Sequence, residues 1–430
     1  MEIVTTHRRQ ALLACVTAVL VVGFLELTLA VLASASTRVS RLLSSPAAVI
    51  PPTIPDARLG HRPTPGAPGH DARGFRNESV PAAAYAVALG DSQTHGASTV
   101  EPRQAWPRQL EEMIGRNVYS MAYGGYGPTH SVLLWPEAET LSPQVVIEAF
   151  YAGNDLFDAF SHVYTGGQLS ELRTAEPAVE AAVRRWEAAE PIARRVERMF
   201  HMGASPTPAG AAGAAPGGGG PPRRWLSAHS KLYGLFRRGR HELARRMAPP
   251  ASPLRDPWDE ARSFAASHPD HCQIFSQGPF RTVFTSEYRL TALDLGDPRI
   301  DEGLRIALRA IERLHASAAG RRFLVVMIPT KESVFRTIWK DPPPASVRLM
   351  ENEELVWSTA KEHFERHGIE HLDALPALRE VLGSGVQPYP VSYDGHPNEH
   401  GHRAIARMVA EALRRPEGPG APSGGGTTGR

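Results

Sequence analysis

Four short blocks in this 430-residue chain hold side chains whose types could do chemistry together. The first, Gly90-Asp91-Ser92-Gln93-Thr94, closes the small apolar run AYAVAL at 84–89. A serine at the end of a strand is exposed and held by a rigid element, with backbone N–H groups beside it that can face a developing oxyanion. The second block, Ser120-Met121-Ala122-Tyr123-Gly124-Gly125-Tyr126-Gly127, is glycine-rich, so backbone can approach a ligand closely. The third, Gly153-Asn154-Asp155, places an amide after an apolar run, and an amide can donate to an oxyanion without carrying charge. The fourth, Tyr393-Asp394-Gly395-His396-Pro397-Asn398-Glu399-His400-Gly401-His402, offers a base for a serine proton and an acid two residues before it to orient the ring.

Each block alone reads equally well as a turn, a loop or a helix cap. The three histidines 396, 400 and 402 could suggest a metal site, but no cysteine or second His/Asp cluster with ligand spacing supports one, and His400 and His402 fit the start of a helix. No metal or other cofactor is expected. Order is what makes the set specific: three blocks follow successive strands, and the fourth precedes the last helix.

The elements that must position these blocks follow from periodicity. Strands are expected at 85–89, 117–122, 144–151, 322–328 and 369–373, and helices at 102–115, 130–141, 299–318, 352–367 and 399–414. The alternation predicts a parallel sheet with helices on both faces. Between 161 and 294 the rhythm breaks into amphipathic helices, including "SKLYGLFRRGRHELARRM", around a Gly/Pro-rich stretch at 206–222 that lacks the apolar content to pack. The expected organisation is a short tail 1–10, an apolar segment 11–36, a Pro/Gly-rich tether 37–80, a catalytic domain split between 81–160 and 295–415 by the insertion 161–294, and a low-complexity tail 416–430.

Residues 11–36 carry one charge, Glu26, and are long enough for a membrane-spanning helix. His7, Arg8 and Arg9 precede the run, favouring a cytoplasmic N-terminus. Ala33-Ser34-Ala35 offers the alternative of a cleaved signal peptide, and a buried helix is the third reading. The first two both place the rest of the chain outside the cytoplasm. With 47 basic and 45 acidic residues the net charge is +2, so no field of the kind that nucleic-acid binding requires is present. Two cysteines, Cys15 and Cys272, make no disulfide framework or zinc site.

The four blocks in this order resemble the SGNH/GDSL hydrolases, named for marker Ser, Gly, Asn and His residues. The resemblance implies a three-layer α/β/α sandwich. It implies Ser92 as nucleophile, His396 as base, and an oxyanion hole of the Ser92 and Gly125 N–H groups with the Asn154 side chain. Gly125 is preferred to Gly124 because it lies five residues after Ser120, where the family often has Asn. The family's acid usually stands three residues before the histidine; here that residue is Tyr393, and the D-x-H pair of Asp394 and His396 is similar to alginate-acetyltransferase-like members. "DARGFRNE" (71–78) and "IPTKESVF" (328–335) also look like membrane-anchored bacterial members, with Asp91 and Lys331 as substrate-binding candidates, Lys331 alternatively pairing with an acid. The implied activity is cleavage of O-acyl esters, with a small ester or an acylated glycan as substrate. Acyl transfer to a glycan hydroxyl and a catalytically inactive glycan-binding or assembly role are the alternatives.

Overall fold

A computed structural model of the protein describes residues 17, 21, 23–26, 28, 29, 53–67, 69–96, 98–203 and 256–415. The chain divides into two compact units, Met1–Val49 with Pro206–Leu254, and Ile50–Ser205 with Arg255–Arg430. In the first unit the described residues are helical. Among the described residues no helix is long and apolar enough to cross a membrane. Most of 11–36, the stretch 206–222, the helix expected around 230–247 and the tail from 416 lie outside the described residues.

The second unit is built on a five-stranded parallel sheet. Its strands are β3 (Ala86–Gly90), β4 (Val118–Ala122), β5 (Val145–Tyr151), β8 (Arg322–Ile328) and β9 (Glu370–Asp373), in the order β4-β3-β5-β8-β9. Strands β3, β4 and β5 are buried along their whole length, which is why they read as continuous small and β-branched runs. Register puts Leu89 opposite both Met121 and Glu148, and Tyr151 opposite Ile328, so the carboxyl ends of these strands converge.

Side chains alternate between two apolar layers. One takes Val87, Leu89, Val146, Phe150, Val325 and Met327 against helices α3 (Pro128–Glu139), α9 (Pro298–Ser317) and α11 (Pro344–Arg366). The other takes Ala86, Ala88, Ile147, Ala149, Leu324 and Val326 against α2 (Trp106–Ile114), α12 (Ala374–Gly383) and α13 (Glu399–Arg414). The expected three layers are therefore present.

Two regions differ from expectation. Residues 53–80, expected as a tether, hold the antiparallel pair β1 (Thr53–Asp56) and β2 (Gly60–Pro63) and bury Leu59, Phe75, Arg76 and Asn77. Their order comes from buried hydrogen bonds rather than periodicity. The Asp71 carboxylate accepts from Tyr119 Oη at 2.7 Å and from Asn77 Nδ2 at 2.9 Å, and the Asn77 amide pairs with both backbone groups of Ser120 on edge strand β4. The insertion is helical at α5 (Pro177–Ala189), α6 (Ile192–Gly203) and α7 (Pro257–Ser267), but it also contains the hairpin β6 (Gln273–Gln277) and β7 (Phe280–Phe284), followed by α8 (Ser286–Thr291).

Candidate active site

Strand β3 ends at Gly90, whose φ of +147° and crowding by Thr94 Oγ1 and the Ala149 methyl leave no room for a side chain. The chain turns there into the short helix α1 (Ser92–His95). Asp91 caps that turn: its Oδ1 accepts the Gln93 N–H at 2.9 Å. The Ser92 N–H, in the first turn, has no intrahelical acceptor. Arg76, from "DARGFRNE", clamps the far side of the turn by donating to the carbonyls of His95 at 2.9 Å and Val100 at 2.7 Å.

Asn398 caps α13, accepting from the N–H groups of His400 and Gly401, and the preceding loop carries His396 to the serine. His396 Nε2 lies 2.8 Å from Ser92 Oγ, and Nδ1 lies 2.6 Å from Asp394 Oδ1. The same Asp394 oxygen accepts the His396 backbone N–H at 2.9 Å, so acid and base are fixed to each other within three residues. Burial would raise the Asp394 carboxyl, but the His396 ring, its hydrogen bonds and the Lys331 ammonium outweigh burial and hold it well below the usual carboxylate range.

The glycine block lies on the other side of Ser92. The Gly124 carbonyl faces His61 Nε2 at 3.1 Å, so in this trans peptide the Gly125 N–H points the opposite way. A Cβ on Gly124 would sit 3.9 Å from the Ser92 Cβ, which shows how closely this backbone approaches the serine. Asn154 stands at the start of α4 (Asp155–Phe160), and one of its Nδ2 protons goes to Asp158 Oδ2 at 2.5 Å, leaving the second available. Burial raises the Asp158 carboxyl to about 8 despite that hydrogen bond. Helix α4 can sit this deep because Gly303 of α9 faces the Leu156 carbonyl, where a Cβ would come within 2.1 Å.

Ser92, Gly125 and Asn154 each follow the carboxyl end of a strand of the sheet, and the loop before α13 brings His396 to Ser92 and Asp394 to His396. Asp91 and Lys331 correct the sequence expectation: neither is placed to meet substrate. Asp91 is fully buried beneath the serine, and burial raises its carboxyl to about 6. Lys331 is buried under the catalytic loop, with Nζ 2.7 Å from the Val283 carbonyl, 3.0 Å from that of Ser392, 3.1 Å from that of Asp394 and 3.2 Å from Thr282 Oγ1. It pairs with neutral oxygens rather than with an acid, and burial lowers its ammonium to about 8.

The hairpin completes this support. Thr282 Oγ1 bridges the Pro390 and Ser392 carbonyls at 3.0 and 2.9 Å, and the Val283 N–H donates to Ser392. The Arg289 guanidinium on α8 packs against Gly395. Sequence reasoning missed Thr282, Arg289 and His61. The alternation in "QIFSQGPFRTVF" signals the hairpin, but nothing local signals which distant loop it holds. The three histidines of the fourth block diverge: His396 meets Ser92, His402 is buried with Nδ1 accepting the Trp106 N–H at 3.3 Å, and His400 is exposed.

Ser92, His396 and Asp394 form a serine–histidine–aspartate constellation at the carboxyl ends of a parallel sheet. Residues 88–270 match the GDSL-like lipase/acylhydrolase family, a match that supports the SGNH/GDSL hydrolase superfamily. At that level the match supports a hydrolase acting on esters. Asp394 and His396 lie beyond the matched residues. Among solved structures, the crystal structure of LAE5, an alpha/beta hydrolase enzyme from the metagenome of Lake Arreo, Spain, is 12% identical over 78% of this chain and 99% of that one, with a TM-score of 0.32. A second solved chain is 10% identical over 77% of this chain and 97% of that one, with a TM-score of 0.29. No curated protein matches the chain.

Proposed function

We propose that the protein is a serine esterase that removes O-acyl groups through an acyl-enzyme. The observation that carries this reading is the continuous hydrogen-bonded line from Ser92 Oγ through His396 to Asp394. A serine hydroxyl is a weak nucleophile until a base at hydrogen-bond distance takes its proton. His396 Nε2 accepts that proton as Oγ bonds to the ester carbonyl carbon, and the C=O π pair moves onto oxygen. The oxyanion is met by the N–H groups of Ser92 and Gly125 and the free Nδ2 proton of Asn154. As the tetrahedral centre collapses, its bond to the alcohol oxygen breaks and the alcohol takes the proton from Nε2. Water then loses a proton to Nε2 as it attacks the acyl carbon, and a second collapse returns the proton to Ser92 Oγ with release of the acid. Asp394 keeps Nδ1 protonated throughout and stabilises the imidazolium.

The apolar segment 11–36 supports an extracytoplasmic site, anchored through one N-terminal helix or released by cleavage. Such a location suits acylated glycans of the cell envelope as substrates. The test is hydrolysis of p-nitrophenyl acetate. Ser92→Ala is expected to lose about 10⁴-fold or more in kcat/KM, and a variant within about tenfold of wild type overturns the assignment. Repeating the assay with a glycan acceptor decides between water and sugar: an acyl-glycan formed faster than free acid replaces the esterase by a transferase.

A further inference from the structure

A second cluster of ligating side chains lies at the opposite pole of the sheet, where β8 and β9 begin. Helix α11 carries His363, and His367 follows one turn later at its C-terminus; helix α9 brings Glu312 against both. We propose that Glu312, His363 and His367 form a binding site for Zn²⁺ that ties α9 to α11.

Three observations carry this. Both imidazole Nε2 atoms lie 3.6 Å from the same Glu312 Oε2, and one donor atom from each of the three residues falls within 4.8 Å of the others. That spacing is too long for a hydrogen bond. It fits the edge of a coordination tetrahedron, since two donors each about 2.1 Å from a tetrahedral zinc ion stand about 3.4 Å apart. Second, the donor atoms are ready. His367 Nδ1 donates to the His363 carbonyl at 2.7 Å, which leaves the Nε2 lone pair free for a metal, the outer-shell arrangement that orients ligating histidines. His363 Nε2 is buried without a hydrogen-bond partner. Third, the nearby cations are engaged elsewhere. Arg309 donates to the Leu172 carbonyl at 2.6 Å and to Thr174 Oγ1 at 2.9 Å, and Arg366 donates to the Glu362 carbonyl at 3.2 Å.

Two imidazoles and a carboxylate suit zinc among the available divalent ions. The site shares no residue with the ester chemistry, so it acts on the packing of α9 against α11. The test uses the full-length chain stripped with a chelator. Titration with Co²⁺ is expected to give a saturable tetrahedral visible band at one equivalent, displaced by Zn²⁺, with a rise in melting temperature on metal addition. Losing an outer-shell partner alone weakens metal binding about 10–100-fold, so His363→Ala and His367→Ala should each weaken it at least that much and abolish the thermal shift. Glu312→Gln, nearly isosteric and half-exposed, repeats the test on the third ligand. Wild-type protein giving no saturable band, or affinity unchanged in Glu312→Gln and in whichever histidine variants keep the wild-type metal-free melt, overturns the proposal.

Discussion

At the scale of single residues, the account rests on how few atoms divide the work. Asp394 makes two bonds to His396 and is held ionised by them, so Asp394→Asn should leave KM near wild type while kcat falls about 10⁴-fold, because the amide favours the wrong tautomer. Steady-state kinetics on an activated ester reads this directly. Asn154 spends one proton on Asp158 and has one left for the oxyanion. Asn154→Ala is therefore expected to lower kcat about 10²–10³-fold and also to lower the melting temperature, because the buried Asp158 carboxyl loses its donor. Both roles were legible in the sequence because each residue sits in a short motif directly after a strand or before a helix. The role of Lys331 was not. Its partners are oxygens from 282–283 and 392–394, joined only by folding, and a lysine in "IPTKESVF" looks the same whether it reaches substrate or backbone.

At the scale of elements, the site depends on parts that touch no substrate. The hairpin and Lys331 together hold the loop that carries Asp394 and His396. Lys331→Met leaves several buried oxygens without a donor and should destabilise the fold by about 2–4 kcal/mol in urea titration. Helix α4 carries Asn154 and lies against Gly303 with no room for a methyl group. Gly303→Ala should cost about 1–3 kcal/mol through overpacking and lower kcat by shifting Asn154, with KM less affected. The strands and the final helix could be placed from periodicity to within a few residues, since β3, β5 and β8 are buried runs and α13 is strongly amphipathic. Residues 53–80 could not. Their Pro and Gly content reads as a tether, while their fold comes from side-chain bonds of Asp71, Arg76 and Asn77 to distant backbone and ring groups, which leave no period to detect.

At the scale of the whole molecule, the chemistry sits above a buried acidic layer. Glu148 on β5 is fully buried near Asp91, and burial raises its carboxyl from about 4.5 to about 8. A carboxyl whose folded pKa is raised favours folding below its unfolded value, and that contribution is lost as pH rises through the folded value. Stability should therefore decline between about pH 4.5 and pH 8, and Glu148→Gln should flatten that part of the profile; thermal melts across the range measure it. The same layout explains why four blocks separated by some three hundred residues define one site: a parallel sheet brings its carboxyl ends to one rim, and the loop before α13 closes over it.

The central claim is that Ser92 becomes covalently acylated with His396 as its base. Intact-protein and peptide mass spectrometry after brief exposure to a fluorophosphonate tests it most directly. The account predicts one adduct, mapped to the peptide containing Ser92, absent from Ser92→Ala and strongly slowed in His396→Ala. An adduct on another residue, or equal labelling of the Ser92→Ala variant, would contradict it.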